Sequence, residues 1–343
     1  MQAAGCQAID DLTSQSAMLV GAVRLLRRAW RLLKRVSAVL KAEPADLAII
    51  VDSPALHLPM AKRLRASGCP VLYYIAPQLW AWAPWRIGRL RRRVDRLATI
   101  LPFEETYFRT RGVEARYVGH PLIEQMADRR TDPALAKSLS SIGQPVVACL
   151  PGSRTHVIRE VLPGQIEVAK AIAGRHPQAA FLFAAADDRG AALIREHLSG
   201  TALRHHLEVA RLPEVLSAAH LALCASGTAT LEVACHGVPM VVMYNGSKWG
   251  YRLVGRHLIT TPHLSLVNIL AGRRVVPEFM PYYSSTEPIA AEALDIVDNA
   301  ARREQMKADL RAVVDLLGTS RAAEQTARMA MEMISAQGTP PDR

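Results

Sequence analysis

Aromatic residues make up only 5% of this 343-residue chain, and its five cysteines form no Cys-x-x-Cys pair. An odd, scattered set (Cys6, Cys69, Cys149, Cys224, Cys235) reads as reduced thiols, mostly small core residues, and not as a disulfide or metal framework. Histidine spacing fits no metal site either, so no metal and no cofactor are expected. Long apolar runs are missing too: none approaches the roughly 20 residues that span a bilayer. The N-terminus lacks a signal-peptide pattern, because Asp10 and Asp11 come early and arginines break the apolar stretch that follows. These absences point to the cytoplasm.

What is present is aliphatic. Half of the residues are hydrophobic and the mean hydropathy is +0.08, which describes a globular chain and excludes a disordered one. The length favours two domains over one. A formal net charge of +11 favours an anionic partner: nucleic acid, an acidic membrane surface or a phosphorylated substrate. No segment resembles a recognition helix or an RNA-binding aromatic motif, so nucleic acid is the weakest of the three.

Residues 19–40 have helical periodicity, with Leu19, Ala22, Val23, Leu26, Trp30 and Leu33 on one stripe. Arg24, Arg27, Arg28, Arg31 and Arg35 form the other. The pattern reads as a surface helix with a solvated basic face. The competing reading is an interfacial helix drawn to anionic lipid, with Trp30 near the headgroups. Strands then alternate with helices: runs at 47–51, 71–75 and 97–101, a polar linker with a short helix over 128–144, and a second set at 146–150, 181–185, 221–225 and 240–243. Such alternation predicts parallel sheets with helical crossovers. Two sets imply an α/β protein of two doubly wound domains facing a cleft, followed by helices from about residue 287 to 336. The adjoining His205 and His206 are assigned to a helix, where they diverge.

Ligands of open α/β sheets sit beyond the carboxyl ends of the strands, and four segments fall there. Asp52 follows the 47–51 strand in Val51-Asp52-Ser53-Pro54 and suits a general base; capping the next helix is an equal alternative. Leu150-Pro151-Gly152-Ser153-Arg154 leaves a strand and enters a helix. Close backbone approach at Gly152, the Ser153 hydroxyl, free helix N–H groups and the Arg154 charge suit a diphosphate. Ser226, Gly227 and Thr228 repeat that arrangement after 221–225, with Glu232 one turn on to accept from ribose hydroxyls; an ordinary capped helix is the alternative. His120, in Gly119-His120-Pro121, suits donation to substrate or a leaving phosphate. Besides these, the apolar stretch 73–82 ends in Trp80 and Trp82 and runs into Arg86, Arg89, Arg91, Arg92, Arg93 and Arg96. That combination suits something greasy that carries phosphate.

Taken together, Val51-Asp52-Ser53-Pro54, Trp80-Ala81-Trp82, Leu101-Pro102-Phe103-Glu104, Val118-Gly119-His120-Pro121, Leu150–Arg154 and Ala225–Glu232 resemble the lipid-A-disaccharide synthase family. Asn268–Arg273 and Val276-Pro277-Glu278 continue the resemblance in order over nearly the whole chain. It implies two Rossmann-like domains of the glycosyltransferase B type, with an acceptor domain over 1–140, a UDP-sugar domain over 141–286, and helices over 287–343 packing back on the first domain. It further implies UDP-2,3-diacylglucosamine as donor, 2,3-diacylglucosamine 1-phosphate as acceptor, and a β-1,6 disaccharide 1-phosphate and UDP as products. Partners would include an anionic membrane surface, placing the chain peripherally on the inner membrane, with a homodimer open.

By resemblance, Asp52 aligns with the essential, basic aspartate and Arg154 with the arginine that serves the phosphates. Ser226, Gly227, Thr228 and Glu232 align with the UDP-binding turn, and Asn268 and Glu278 with polar positions near the nucleotide. Trp80, Trp82, Arg91, Arg92 and Arg93 would meet acyl chains and headgroups. Met1–Cys6 resembles an interior family segment, which implies a first domain lacking the family's opening strand and glycine-rich loop. Ala55 and His57 stand where the family has aspartate and asparagine, Ala76 and Gln78 replace serines, and Val267 replaces a proline. The rival readings are another UDP-sugar enzyme of the same architecture, such as a peptidoglycan glycosyltransferase or an epimerase, and a non-catalytic UDP- or lipid-binding remnant.

Overall fold

A computed structural model describes residues 5–6, 22–246 and 261–336. Internal contacts divide the chain into two units. One runs to Leu79, resumes over Pro84–Val118 and takes the chain from Arg321; the other holds Trp80–Ala83 and Gly119–Ser320.

The first stretch contains α1 (Ala22–Ala42), β1 (Ala48–Val51), α2 (Pro54–Ala66), β2 (Val71–Tyr74), α3 (Leu79–Trp82), α4 (Ile87–Arg91), β3 (Arg96–Thr99), α5 (Pro102–Arg109) and β4 (Ala115–Tyr117). Strands β1 to β4 form a parallel sheet in simple sequence order. The middle strand β2 is buried through Val71, Leu72 and Tyr73, as expected where helices cover both faces of a parallel sheet. Strand β1 lies at the edge and alternates: Ile50 is buried, while Ile49 and Val51 are exposed. Helix α1 begins at Ala22, so Leu19 of the predicted stripe lies outside the described residues. It buries Leu32 and Leu33 and leaves Trp30 outside, with the Lys34 ammonium 3.6 Å from its ring centroid.

The second unit opens with α6 (Pro121–Asp128) and α7 (Pro133–Ser140), and then β5 (Val146–Leu150), α8 (Thr155–Arg175), β6 (Ala180–Ala185), α9 (Asp188–Leu198) and β7 (His205–Val209). It continues with α10 (Leu212–Ala218), β8 (Leu221–Ala225), α11 (Ala229–Cys235), β9 (Met240–Met243), α12 (Leu266–Ala271), β10 (Glu278–Phe279), α13 (Glu287–Asp298) and α14 (Ala300–Leu316). All pairings are parallel, in the order β10-β9-β8-β5-β6-β7. Starting from β5, the chain builds outward to β7, returns to the other side of β5 and builds outward again, which is the Rossmann order. Strands β5, β8 and β9 are buried throughout, and their unbroken apolar runs reflect cover on both faces.

Some boundaries differ from the sequence reading. The His205–His206 pair starts strand β7, not a helix. At the sheet edge this strand carries no apolar alternation to betray it. The division between units falls at Val118, not at 140. Helix α7 is capped by Asp132, whose carboxylate accepts from the Ala134 and Leu135 N–H groups, and it packs on α10. Helices α13 and α14 stay with the second unit, burying Ile289, Ala293, Ile296, Leu310 and Val313 in its core. Only the last helix, α15 (Ala322–Ser335), belongs to the first unit, where Ala322, Met329, Ala330 and Met333 pack against Leu72, Ala98 and Val118. Its Glu332 accepts from Arg96 and Arg116, and Arg116 first among them holds the carboxyl below the usual carboxylate range.

Candidate active site

In the second unit the strand order reverses between β5 and β8. Leu150 pairs with Cys224, so the turns leaving these two strands emerge side by side. Gly152 sits at φ 103°, a conformation open to glycine, and a β-carbon there would come within 2.8 Å of the Val157 side chain. The turn can therefore be tight only without a side chain. Ser153 and Arg154 are exposed, and Arg154 precedes a 21-residue helix whose N-terminus carries no side-chain cap. The first N–H groups of α8 and its positive dipole end remain available to an anion.

Beside it, Ser226, Gly227 and Thr228 lead into α11, with Gly227 at φ 141°. The helix interior is tied down by Thr230, whose hydroxyl donates to the Gly227 carbonyl at 2.7 Å, which leaves the Ser226 and Thr228 hydroxyls uncommitted to that role. Glu232 is mostly buried and pairs with Arg129 at 2.7 Å through one carboxylate oxygen. The ion pair fixes the carboxylate in place.

Sequence reasoning missed two tyrosines here. Tyr244 follows β9 and hydrogen-bonds Glu160 of α8; burial, then that bond and charge, pushes its pKa up to about 12, while the Arg154 charge acts the other way. The same side of α8 borders a cavity of about 800 Å³ lined by Arg159, Glu160, Gly164, Asn245 and Tyr283, among others. Tyr283 lies so close to Gly164 that a β-carbon there would meet its hydroxyl. The signal available was positional: Tyr244-Asn245 sit at the carboxyl end of a central strand.

Asn268 and Glu278 bond to one another and to backbone within the protein. Asn268 is fully buried; its Oδ1 accepts from the Val275 and Val276 N–H groups, and its Nδ2 donates to the Val276 carbonyl and to Glu278. Glu278 in turn accepts from the Leu264 and Ser265 N–H groups. Every polar atom of the Asn268 amide is consumed, so the pair ties the 264–278 loop together. A buried backbone polar group left unpaired is costly, and this network prevents it.

His120 is also more structural than the sequence reading. It caps α6, its Nδ1 accepting from the Leu122 N–H at 3.2 Å, and burial lowers its pKa to about 4. It is therefore a neutral ring whose remaining Nε2–H is a donor. The preceding Gly119 has φ 98°, and a β-carbon there would lie 2.4 Å from the Ser320 carbonyl oxygen. That contact is what the Gly-His-Pro motif accommodates.

In the first unit, Asp52 follows β1 at φ 48° and Ser53 follows it at φ 46°. Left-handed conformations cost about 1 kcal/mol or more for non-glycine residues. Ser53 is the N-cap of α2 and neither side chain makes a cap bond, so capping does not explain Asp52. Its side chain is exposed, and no hydrogen bond or ion pair among the described residues engages the carboxylate.

The acyl and membrane candidates divide. Trp80 is 7% exposed and Trp82 is half-buried. Trp85, at 60%, is the exposed indole of this segment. Arg91 and Arg92 are exposed, whereas Arg93 donates to the Leu58 carbonyl at 3.1 Å.

Two parallel sheets, one in Rossmann order with paired glycine turns at its reversal point, define a protein of the two-Rossmann-domain class. Solved structures agree on the fold: the S. aureus MnaA–UDP co-structure has a TM-score of 0.63 at 10% identity, covering 93% of this chain and 84% of that one. A trehalose-6-phosphate synthase, OtsA, has 0.54 at 11%, covering 92% and 78%. A family model described as lipid-A-disaccharide synthetase matches residues 1–333. The lipid-A-disaccharide synthase of Myxococcus xanthus (strain DK1622) is 37% identical over 338 residues, covering 97% of this chain and 88% of the relative. The chain belongs to the lipid-A-disaccharide synthetase family, whose activity is the synthesis of the lipid A disaccharide.

Proposed function

We propose that this chain is an inverting hexosyltransferase that joins UDP-2,3-diacylglucosamine to 2,3-diacylglucosamine 1-phosphate, giving the β-1,6 disaccharide 1-phosphate and UDP. The observation that carries the reading is the pair of glycine turns at the reversal point of the second sheet, with Arg154 and an uncapped helix N-terminus beside them. Donor diphosphate charge, which grows as UDP leaves, is met there by Arg154 and by the N–H groups of α8. Glu232, held by Arg129, accepts from ribose hydroxyls through its second oxygen. Asp52 takes the proton from the acceptor 6-hydroxyl as that oxygen attacks the anomeric carbon. His120, being neutral, contributes an Nε2–H bond to substrate and no charge.

Acyl chains and membrane headgroups fall to Trp82, Trp85, Arg91, Arg92 and to Arg31 and Arg35 of α1, with the chain lying peripherally on an anionic surface. The test is disaccharide formation from the two lipid substrates in detergent, alongside Asp52→Asn and Arg154→Ala. Turnover abolished by Asp52→Asn supports the reading. Turnover that survives it removes Asp52 from the reaction, and UDP binding without turnover supports a binding protein instead.

A further inference from the structure

The turn that carries Asp52 adopts a conformation its residues disfavour, so something must hold it. The Asp52 carbonyl accepts two hydrogen bonds, each 2.7 Å long. One comes from the Tyr73 hydroxyl, reaching across from β2, and the other from Nδ1 of His57 on the first turn of α2. A carbonyl oxygen only accepts, so Nδ1 of His57 is the donor in this bond. On the other side, the Asp52 N–H donates to the Tyr74 carbonyl at 3.1 Å. The backbone of this residue is thus fixed at both ends while its carboxylate stays exposed and unengaged among the described residues.

We propose that Tyr73 and His57 are positioning residues that clamp the Asp52 carbonyl and so aim the Asp52 carboxylate at its substrate before the substrate arrives. The proposal rests on the reading of Asp52 as the base. Tyr73 is fully buried, and burial, followed by the nearby Asp52 charge, raises its pKa; it therefore remains a hydrogen donor throughout the neutral range. Its rigid ring lets the bond act as a fixed strut from the sheet interior. His57 acts from the surface side of the turn. Without the pair, the two left-handed residues relax toward right-handed geometry and swing the side chain away. A shift of about 1 Å in a reacting group is enough to slow chemistry by up to about a hundredfold. An asparagine at 57, the residue the resemblance places there, would set its Nδ2 the same number of bonds from the backbone as Nδ1 of His57. It can therefore make the same bond.

The test measures kcat, KM for both substrates and the thermal midpoint for Asp52→Asn, His57→Ala, His57→Asn and Tyr73→Phe. The expected result is a kcat lowered about tenfold in His57→Ala and Tyr73→Phe with KM changed less than about threefold. His57→Asn recovers most of the rate that His57→Ala loses, and the variants of the half-buried His57 melt close to the parent. If Asp52→Asn is inactive but His57→Ala and Tyr73→Phe keep their kcat, the clamp is overturned and the base stands. If Asp52→Asn still turns over, the base reading falls and the clamp falls with it. A rate loss that tracks melting and is not restored by His57→Asn also overturns the clamp, since a merely structural contact behaves that way.

Discussion

His120 makes the stability of this protein depend on acid in a way that can be calculated. The ring is 4% exposed, burial lowers its pKa from 6.5 to about 4, and its Nδ1 accepts the Leu122 N–H. Protonation would place a charge in the interior and turn that acceptor into a second donor. The unfolded chain binds a proton below about pH 6.5, whereas the folded chain refuses it until about pH 4. The contribution is therefore complete above 6.5 and is lost as the pH falls through this window. Between pH 7 and pH 5 the loss from this one group is about 2 kcal/mol. His220, also lowered, titrates in the same sense, so the measurement must be a difference. Urea unfolding followed by circular dichroism at pH 7 and pH 5 would compare the parent with His120→Asn. Asparagine keeps a side-chain acceptor at the N-cap but has no proton to bind. The variant should lose about 2 kcal/mol less than the parent over this interval. Equal losses in both proteins would mean that His120 is not held neutral by burial, and the reasoning about its role as an uncharged donor would fail too.

Three further outcomes follow from the same geometry. Asn268→Ala leaves the Val275 and Val276 N–H groups without acceptors inside the protein and should cost about 2–4 kcal/mol in denaturant unfolding; a loss of UDP affinity at unchanged stability would instead return Asn268 to the ligand. Gly119→Ala forces a β-carbon against the Ser320 carbonyl at a left-handed position, so the thermal midpoint should drop by an amount equivalent to at least about 2 kcal/mol. A neutral melting curve would show that this contact can relax. Arg154→Ala should weaken UDP binding about ten- to a hundredfold by calorimetry, with the uncapped helix retaining the remainder, and an unchanged Kd would remove Arg154 from the diphosphate.

The second sheet was legible because its strands are central. Val146–Leu150, Leu221–Ala225 and Met240–Met243 are buried on both faces, and the unbroken apolar runs this requires stand out between polar turns. Where burial is partial the signal fades. Strands β4 and β7 carry Arg116 and His205 at exposed positions, and neither a run nor a clean alternation marks them. The glycine turns were legible for a related reason: Gly152 and Gly227 occupy backbone conformations that other residues avoid, so the geometry leaves its mark on the sequence.

Residue type alone did not separate ligand contacts from internal fasteners. Asn268 and Glu278 have the chemistry to bind a nucleotide, yet they spend it on one another and on a loop, and only the positions of the backbone N–H groups reveal this. Asp52 is the opposite case. Its sequence setting fits a cap as well as a base, and the structure separates the two: the carboxylate makes no cap bond, while three bonds restrain its backbone. A residue whose main chain is fixed at the cost of strain, and whose side chain is left unused, is spending stability on orientation. That expenditure is explicable when the side chain acts on something outside the fold, and this supports the proposed role of Asp52 more than that of Asn268, although both are polar residues matched by the same resemblance.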